Sequence, residues 1–363
     1  MSDKKFNVAI IGYGLSAKVF HIPFINLVPQ FALHTIVQRS PSADSSAPAD
    51  HPSLVHHTSP EPMFADPAVD VVCILTPPGT HFDLASAALR AGKHVLVEKP
   101  FVPSAEQADK LIALAKEQKR HICVYQNRRW DADFLTLRHL IADGTIGRVV
   151  ELDTHFDRYR AEKPSTWKGT LGMDQGGGVL YDLGSHLIDQ AYVLFGTPRA
   201  VYGRLVNQRD GRLDPETPDS LHAVLSYPDG NIVTVRAGVM SVENPQPRFW
   251  VRGTKGSWRK AGLDPQEGQL KAGALPSDTG FGVEDPTDPG TLVVVAEDGS
   301  FEVKSKPTAQ PETYVKLFEG FARAIAEDKE ELVPVPASEA RDVLRILEAV
   351  RESAKTGKEV ILE

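Results

Sequence analysis

The 363-residue sequence has few of the features of a secreted, disulfide-bonded or membrane protein. It contains only two cysteines, and both lie in apolar runs, Cys73 in DVVCILTP and Cys123 in HICVYQ. Cysteines in such runs behave as small buried hydrophobic residues, so we expect them to be neither ligands nor nucleophiles in a reducing compartment. Because the first residues are polar and the following apolar run is too short for a signal or membrane helix, we expect a cytoplasmic protein.

The sequence also lacks excess positive charge and metal-ligand clusters. Its net charge is −8 at pH 7, with 24% charged and 41% hydrophobic residues. This composition predicts an ordinary globular protein with neither a nucleic acid nor a membrane as its partner. His51, His56 and His57 have no other ligands beside them, so we expect no metal. The length exceeds the ~250–300 residues of one hydrophobic core and predicts two domains.

A glycine-rich motif follows the first predicted strand, Phe6 to Ile11. Gly12-Tyr13-Gly14-Leu15-Ser16-Ala17 fits G-x-G-x-x-A and opens a helical pattern that runs to about Val28. In this motif the first glycine permits a tight turn, and the second lets a pyrophosphate approach the backbone at the helix start. The motif predicts a dinucleotide-binding site.

The residues after the second predicted strand, Phe31 to Val37, bear on cofactor choice. NAD sites usually place a carboxylate here to bind the ribose 2′-hydroxyl, whereas this chain reads Gln38-Arg39-Ser40. A guanidinium and a hydroxyl can bind a 2′-phosphate, so the sequence favours NADP and leaves NAD open. The alternative is that Arg39 points into solvent.

Short apolar strands alternate with helices as far as Tyr125, which predicts a doubly wound parallel sheet of the Rossmann type. Three polar or turn clusters follow its strands: Thr76-Pro77-Pro78, Glu98-Lys99-Pro100 and Gln126-Asn127-Arg128. Ligands of such sheets bind beyond the carboxyl ends of the strands. We therefore expect these clusters to belong to one site.

The pattern changes after the helix from Asp131, its predicted cap, to Ile141. Alternating runs from Val149 onward predict an open, mostly antiparallel sheet that is mostly a meander, and the stretch from Gly262 to Gly290 is expected to be irregular. The predicted architecture is a Rossmann domain, residues 1–126, followed by a C-terminal α/β domain on that open sheet, residues 127–363. One face of the sheet needs cover, which predicts a homodimer or homotetramer.

The stretch GGGVLYDLGSHLID, Gly176 to Asp189, carries the clearest chemistry. Asp182 and His186 stand at i and i+4 of a helix and share a face, with Asp189 near it. An imidazole oriented by a carboxylate suits an acid/base that takes a proton from an alcohol or returns it to a ketone. The alternative is that His186 packs and Asp182 only favours the first helical turn.

Three motifs together resemble those of the Gfo/Idh/MocA family of nicotinamide-dependent sugar and cyclitol oxidoreductases. They are GYGLSA at the N-terminus, EKP at Glu98 to Pro100, and GGGxxxDxGxHxxD from Gly176 to Asp189. The resemblance covers essentially the whole chain. The stretches YQNRRWD from Tyr125 and FDRYR from Phe156 look most like the branch that contains NADP-dependent scyllo-inositol dehydrogenases.

The resemblance implies a role for each matching residue. Lys99 would be the catalytic lysine, acting with Asp182 and His186. The residues expected to bind the cofactor are Gly12, Tyr13, Gly14, Leu15, Arg39, Ser40, Thr76, Pro77, Pro78, His81, Glu98, Lys99 and Asn127. Those expected to bind substrate are Lys99, Asn127, Asp182 and His186. From their place in the segment before the catalytic helix, Arg158, Tyr159, Trp167 and Lys168 are further candidates for substrate binding. The alternative is that these four are ordinary strand and loop residues.

The implied activity is hydride transfer between NADP(H) and a small-molecule ring polyol, either scyllo-inositol with its inosose or a related cyclitol or pyranose. An aldose 1-dehydrogenase that forms a lactone is the alternative enzyme. A third reading is a regulator that binds NAD(P) without catalysis, but such a protein has no need of Lys99, Asp182 and His186 together.

Overall fold

A computed structural model of the chain describes residues 5–163, 171–214, 216–287 and 289–362. The chain forms two compact units, neither of which is continuous in sequence. The first unit comprises Met1–Asn127, Gln266–Phe281 and Glu312–Arg341, and the second Arg128–Pro265, Gly282–Pro311 and Asp342–Glu363. The two-domain division at residues 126 and 127 stays a prediction.

The elements are named here in chain order. The strands are β1 (Phe6–Ile11), β2 (Phe31–Val37), β3 (Val55–His57), β4 (Val71–Ile74), β5 (His94–Val97), β6 (Ile122–Val124), β7 (Val149–Asp157), β8 (Ala200–Asn207), β9 (Arg212–Leu213), β10 (Ser220–Ser226), β11 (Ile232–Gly238), β12 (Pro247–Gly253), β13 (Gly256–Ala261), β14 (Gly290–Val295), β15 (Phe301–Lys306) and β16 (Val360–Ile361). The α-helices are α1 (Ile22–Ile25), α2 (Ala47–Asp50), α3 (Glu61–Ala65), α4 (His81–Arg90), α5 (Ala105–Gln118), α6 (Ala132–Ala142), α7 (Ser185–Phe195), α8 (Gln266–Lys271), α9 (Val315–Glu327) and α10 (Ala337–Thr356). Two stretches are π-helical, Ser16–His21 and Leu180–Gly184.

The first unit contains the predicted Rossmann sheet. Its six strands lie in the order β3-β2-β1-β4-β5-β6, and every neighbouring pair is parallel. Their apolar runs are buried because helices cover both faces of such a sheet. The strand order reverses beside β1, the place where doubly wound sheets bind their ligands.

The helix after the glycine motif differs from the prediction of one regular helix to about Val28. It is π-helical over Ser16–His21 and then α-helical only to Ile25. A π-turn bonds residues five apart, so it brings Ser16 and His21 side by side. Apolar spacing alone does not distinguish this wider turn from an α-turn.

The starts of α5 and α6 are capped differently. Ser104 caps α5, since its hydroxyl accepts a hydrogen bond from the amide of Gln107. Asp131 stands at the cap position of α6 but makes no capping bond with its side chain. Its carboxylate instead lies 3.2 Å from the guanidinium of Arg128, because a buried cation competes better for it than a backbone amide does.

The second unit contains a ten-stranded sheet in the order β15-β14-β13-β12-β7-β11-β10-β8-β16, with β9 beside β8. The mostly antiparallel sheet is confirmed, but it is not a simple meander. β7 lies between β12 and β11 and pairs parallel to β11. A period of two fixes which face a side chain takes but not which strand lies alongside, so this insertion was not predictable from the pattern.

The region expected to be irregular contains a short helix. α8 lies within the stretch from Gly262 to Gly290. Six residues give too little periodicity to stand out among the surrounding glycines and prolines. The hydrophobic pattern also gives no clear signal for the preceding strand, β13. Its buried positions are Trp258 and the charged residue Lys260, so the strand lacks an apolar alternation.

Candidate active site

The glycine loop of the first unit is shaped for close approach by a ligand. Gly12 has φ +101°, and a Cβ there would stand 2.8 Å from the carbonyl oxygen of Leu75. Gly14 has no atom within 4 Å of its Cβ position, and Leu15 is 60% exposed. The loop therefore has a conformation that needs glycine on one side and open space on the other, which fits a dinucleotide pyrophosphate.

Tyr13 fastens this loop to α2 rather than presenting its hydroxyl to solvent. Its hydroxyl donates to Asp50 at 2.8 Å, and Lys18 lies 3.2 Å from the same carboxylate oxygen. Burial, and then the hydrogen bond to Asp50, raises the pKa of the Tyr13 phenol. The same hydrogen bond lowers the pKa of Asp50. Tyr13 is thus a neutral anchor at physiological pH.

The loop after β2 is folded around Gln38. Its amide nitrogen donates to the carbonyl of Ser45 at 2.8 Å, and its amide oxygen accepts from the backbone of Ala47 at 2.7 Å. Ser45 in turn donates to the carbonyl of Tyr13 at 3.4 Å, which joins this loop to the glycine loop. Arg39 and Ser40 are both exposed on the folded loop.

His81 holds together two of the strand-end clusters. Its Nε2 lies 2.8 Å from the carbonyl oxygen of Thr76, and its Nδ1 lies 3.1 Å from those of Pro100 and Phe101. Burial lowers the pKa of this fully buried imidazole, against the smaller opposite effect of the carbonyl oxygens. These contacts fix the loops around Lys99, while cofactor binding by His81 stays a prediction.

Glu98 shapes the backbone at Lys99. Its Oε2 accepts a hydrogen bond from the amide of Lys99 at 3.0 Å. Its Oε1 accepts a hydrogen bond from the hydroxyl of Ser16. Ser16 begins the helical segment that follows the glycine motif, Ser16–His21 and Ile22–Ile25, which we call the fingerprint helix. This hydrogen bond directly joins the glycine motif and the EKP motif within the first unit. Asn127, which follows β6, is a buried residue of the same unit.

In the second unit, two glycines with positive φ precede the continuous helical segment that carries Asp182 and His186. Gly176 and Gly178 have φ +78° and +81°, a left-handed conformation that costs glycine little. The π-helical stretch begins at Leu180 and places Asp182 in its first turn, and α7 carries the 5% exposed His186.

Asp189, which spacing placed near the same face, is held by an arginine. Nε and Nη2 of Arg129 donate to its two oxygens at 2.9 and 2.7 Å. The side chains are 8% and 2% exposed, so this bidentate pair is buried. It fixes the rotation of α7, and hence the direction in which the helix presents His186.

Phe156, at the end of β7, packs against the same helix. Its ring centroid lies 6.4 Å from that of His186, and the guanidinium of Arg128 lies 4.8 Å from the ring centre. β7 ends at Asp157, and of the two residues that follow it Arg158 is half-buried whereas Tyr159 is 58% exposed. This difference in burial favours Arg158 over Tyr159 as a neighbour of His186.

The structure thus divides the predicted residues between the units. The first carries Lys99 and the residues predicted to bind cofactor, and the second carries Asp182, His186, Arg158 and Tyr159. Trp167 and Lys168 lie outside the described residues.

Supporting contacts of four residues were not predicted from the sequence: Arg129, Phe156, Gln38 and His21. Arg129 is buried and its partner Asp189 is 60 residues away, so no local spacing indicates the pair.

Among the described residues, no group of three or more histidine, cysteine, aspartate or glutamate residues is arranged to hold a metal ion. No helix there has the length and apolar character needed to cross a membrane.

The chain matches two family descriptions in succession. "Oxidoreductase family, NAD-binding Rossmann fold" matches residues 6–126, and "Oxidoreductase family, C-terminal alpha/beta domain" matches residues 138–362, both under the Gfo/Idh/MocA heading. These matches identify the first region as an NAD(P)-binding domain.

Individual relatives match over nearly the full length. The uncharacterised oxidoreductase YdgJ of Escherichia coli is 41% identical, covering 98% of each chain. The scyllo-inositol 2-dehydrogenase (NADP(+)) IolW of Bacillus subtilis is 35% identical, covering 98% of this chain and 96% of the relative. The solved structure of yvaA from Bacillus subtilis superimposes with a TM-score of 0.92 at 34% identity, covering 100% of both chains. The chain therefore belongs to the Gfo/Idh/MocA family, and it is an NAD(P)-binding oxidoreductase, an enzyme of the dehydrogenase/reductase type.

Proposed function

We propose that the enzyme transfers hydride between NADP(H) and a ring polyol, with scyllo-inositol and its inosose as the first candidates. The observation that carries this proposal is the similarity, along nearly the whole chain, to a scyllo-inositol 2-dehydrogenase that uses NADP(+). The residues suited to the chemistry, Lys99, Asp182 and His186, stand in this chain at the family's motif positions.

The proposed preference for NADP rests on the end of β2. Gln38 uses its side chain to fold the following loop, and neither Arg39 nor Ser40 carries a negative charge. Both of these residues are exposed and thus accessible to a 2′-phosphate. A guanidinium and a hydroxyl would bind this dianion through charge-assisted hydrogen bonds.

Each of the three proposed catalytic side chains has a distinct task. His186 takes the proton of the substrate hydroxyl and returns it in the reverse direction. Asp182 binds the substrate and orients His186. The Lys99 ammonium stabilises the negative charge that develops on the substrate oxygen. The nicotinamide ring supplies or accepts the hydride when the cofactor is bound.

Polyol recognition needs a few directed polar groups around the reacting carbon. We propose Arg158 and Asn127 for this task. Arg158 follows β7, whose Phe156 packs against His186. Asn127 follows β6, which pairs with β5, the strand that precedes Lys99. Roles for Tyr159, Trp167 and Lys168 in binding the outer hydroxyls remain part of the proposal.

The test is NADP⁺ reduction with scyllo-inositol, myo-inositol and a set of aldoses, followed through nicotinamide absorbance. Turnover of an inositol by the wild type, lost in Lys99→Ala, supports the proposal. Turnover of aldoses alone would replace the proposed substrate with an aldose oxidised to a lactone. Tight NADPH binding without turnover of any compound would contradict catalysis and favour a regulator.

We also propose that the open sheet pairs two or four copies of the chain. Its outer face exposes Tyr202, Ile232 and Trp250 by 36%, 40% and 44%, and a groove of about 600 Å³ runs across it. Trp250→Glu should shift the sedimentation coefficient to that of the monomer, whereas Leu27→Glu, a 39% exposed control in the first unit, should not. A wild-type monomer would contradict the proposal.

The proposed location is the cytoplasm. Cys73 and Cys123 are both buried, which suits small apolar residues of a protein that folds in a reducing compartment. Burial also raises the pKa of the Cys73 thiol, which keeps it protonated and unreactive.

A further inference from the structure

His21 is a buried titratable residue that the proposed mechanism does not use. It ends the π-helical turn of the fingerprint helix and has no solvent exposure. Its Nδ1 lies 3.2 Å from the carbonyl oxygen of Ser16 and 3.3 Å from the hydroxyl oxygen of the same residue. Among the described residues, no hydrogen-bond partner lies within reach of its Nε2. Buried polar atoms are rarely left unpaired, so the position calls for an explanation.

The surroundings of His21 fix both its charge and its tautomer. Burial lowers the pKa of the imidazole more than the neighbouring Glu98 raises it, so the ring is neutral. The carbonyl oxygen of Ser16 can only accept a hydrogen bond, which places the ring proton on Nδ1. Nε2 is then a bare acceptor among aromatic rings, with Tyr125 at 4.2 Å and Phe318 at 5.7 Å between centroids. An unpaired acceptor there is less costly than an unpaired N–H would be.

The protonated side of the ring is directed towards Glu98. Nδ1 lies 3.8 Å from Oε1 of Glu98, and the Ser16 hydroxyl donates to that same oxygen. The other oxygen, Oε2, accepts the amide of Lys99 at 3.0 Å. The carboxylate is thus held on one side by the fingerprint helix and on the other by the backbone of the proposed catalytic lysine.

We propose that His21 and Ser16 are positioning residues that fix Glu98 and, through Glu98, the backbone from which Lys99 extends. The inference rests on the proposed function of Lys99. The π-turn is essential to this contact network because it places Ser16 and His21, five residues apart in sequence, beside the same carboxylate oxygen of Glu98. Displacement of a catalytic group by 1 Å can lower a rate about 100-fold, so loss of the network should appear in kcat.

Three substitutions at His21 separate positioning from packing. The amide nitrogen of Asn, like Nδ1, is attached to Cγ, whereas that of Gln reaches the region of Nε2. We expect His21→Phe and His21→Gln to lower kcat about 100-fold at saturating NADP⁺, and His21→Asn to restore it to within about tenfold of the wild type. The dissociation constant of NADPH should change by less than about threefold in all three. A packing role predicts the reverse order, with Phe the best tolerated because it best fills the aromatic pocket.

Ser16→Ala provides a second test in case His21 variants do not fold. Ser16 is only half-buried, so its loss should leave the unfolding temperature unchanged while kcat falls. Ser16→Ala that retains kcat within about twofold of the wild type would overturn the proposal, whether or not the His21 variants fold.

A spectroscopic measurement separates this inference from the proposed function. In the ¹⁵N-histidine-labelled protein without cofactor, the resonance lost in His21→Asn should report a neutral ring protonated at Nδ1. A proton on Nε2 would overturn the network. A wild-type enzyme that turns over no polyol would instead refute the proposed function, and the tautomer would still test the geometry.

Discussion

Replacement of Arg129 by methionine should strongly destabilise the second unit. Arg129 donates two hydrogen bonds to Asp189, and the side chains are 8% and 2% exposed. The substitution keeps the length and apolar stem of the side chain but removes its charge. It leaves the Asp189 carboxylate, on the same helix as His186, buried without this counter-charge.

The expected loss follows from the burial of the pair. Removal of one partner of a buried ion pair costs about 3–5 kcal/mol. In a unit of roughly 190 residues each kcal/mol shifts the unfolding temperature by about 2–4 °C, so the transition should fall by about 6–20 °C. Arg129→Lys should lose less, because it keeps the charge and loses the bidentate geometry.

The assay is thermal and urea unfolding of the cofactor-free protein by circular dichroism. Arg138→Met is the matched control, because Arg138 is exposed on α6 and its loss should cost under about 0.5 kcal/mol. In a double-mutant cycle with Asp189→Asn, the coupling energy should exceed about 1.5 kcal/mol. A shift below about 2 °C for Arg129→Met would refute the claim that this pair fixes α7.

Four further substitutions test separate parts of the first unit. Gly12→Ala should destabilise it by about 1–3 kcal/mol because of the positive φ, whereas Gly14→Ala should leave unfolding unchanged and weaken only NADPH binding, both measured by thermal shift and fluorescence titration. Arg39→Asp should raise KM for NADP⁺ more than KM for NAD⁺, and an equal effect on both would mean that Arg39 does not touch the 2′-phosphate. Ser104→Ala should cost about 1 kcal/mol through loss of the α5 cap, and no change in the urea midpoint would contradict the observed capping bond.

Much of the Rossmann half could be predicted from the sequence, because its signals are local. The predicted and observed bounds of β1 and β2 agree, since each strand is a short apolar run that ends at polar or glycine residues. The Gly12 turn and the Ser104 cap were predictable for the same reason. In each case the physical cause lies within a few residues of its effect.

Features that depend on distant partners could not be predicted in this way. Asp189 looked like a third member of the Asp182–His186 face, but its carboxylate belongs to Arg129, 60 residues away in sequence. The parallel insertion of β7 beside β11 is likewise set by the packing of the whole sheet. Alternation indicates which side of a strand is buried and carries no information about its neighbour.

The network around His21 is invisible in the sequence for a further reason. It depends on a π-turn that makes Ser16 and His21 neighbours and on Glu98, more than seventy residues later. No spacing rule joins these positions. Only the folded sheet, which brings the ends of β1 and β5 to one edge, makes the contact.

The most direct test of the central claim follows the hydrogen that is transferred. scyllo-Inositol deuterated at every carbon is incubated with NADP⁺ and the wild-type enzyme, and the NADPH formed is analysed by mass spectrometry. The account predicts one deuterium per NADPH at a rate that falls by orders of magnitude in Lys99→Ala and in His186→Ala, while both variants still bind NADPH. NADPH without deuterium, or near-normal rates in either variant, would contradict it.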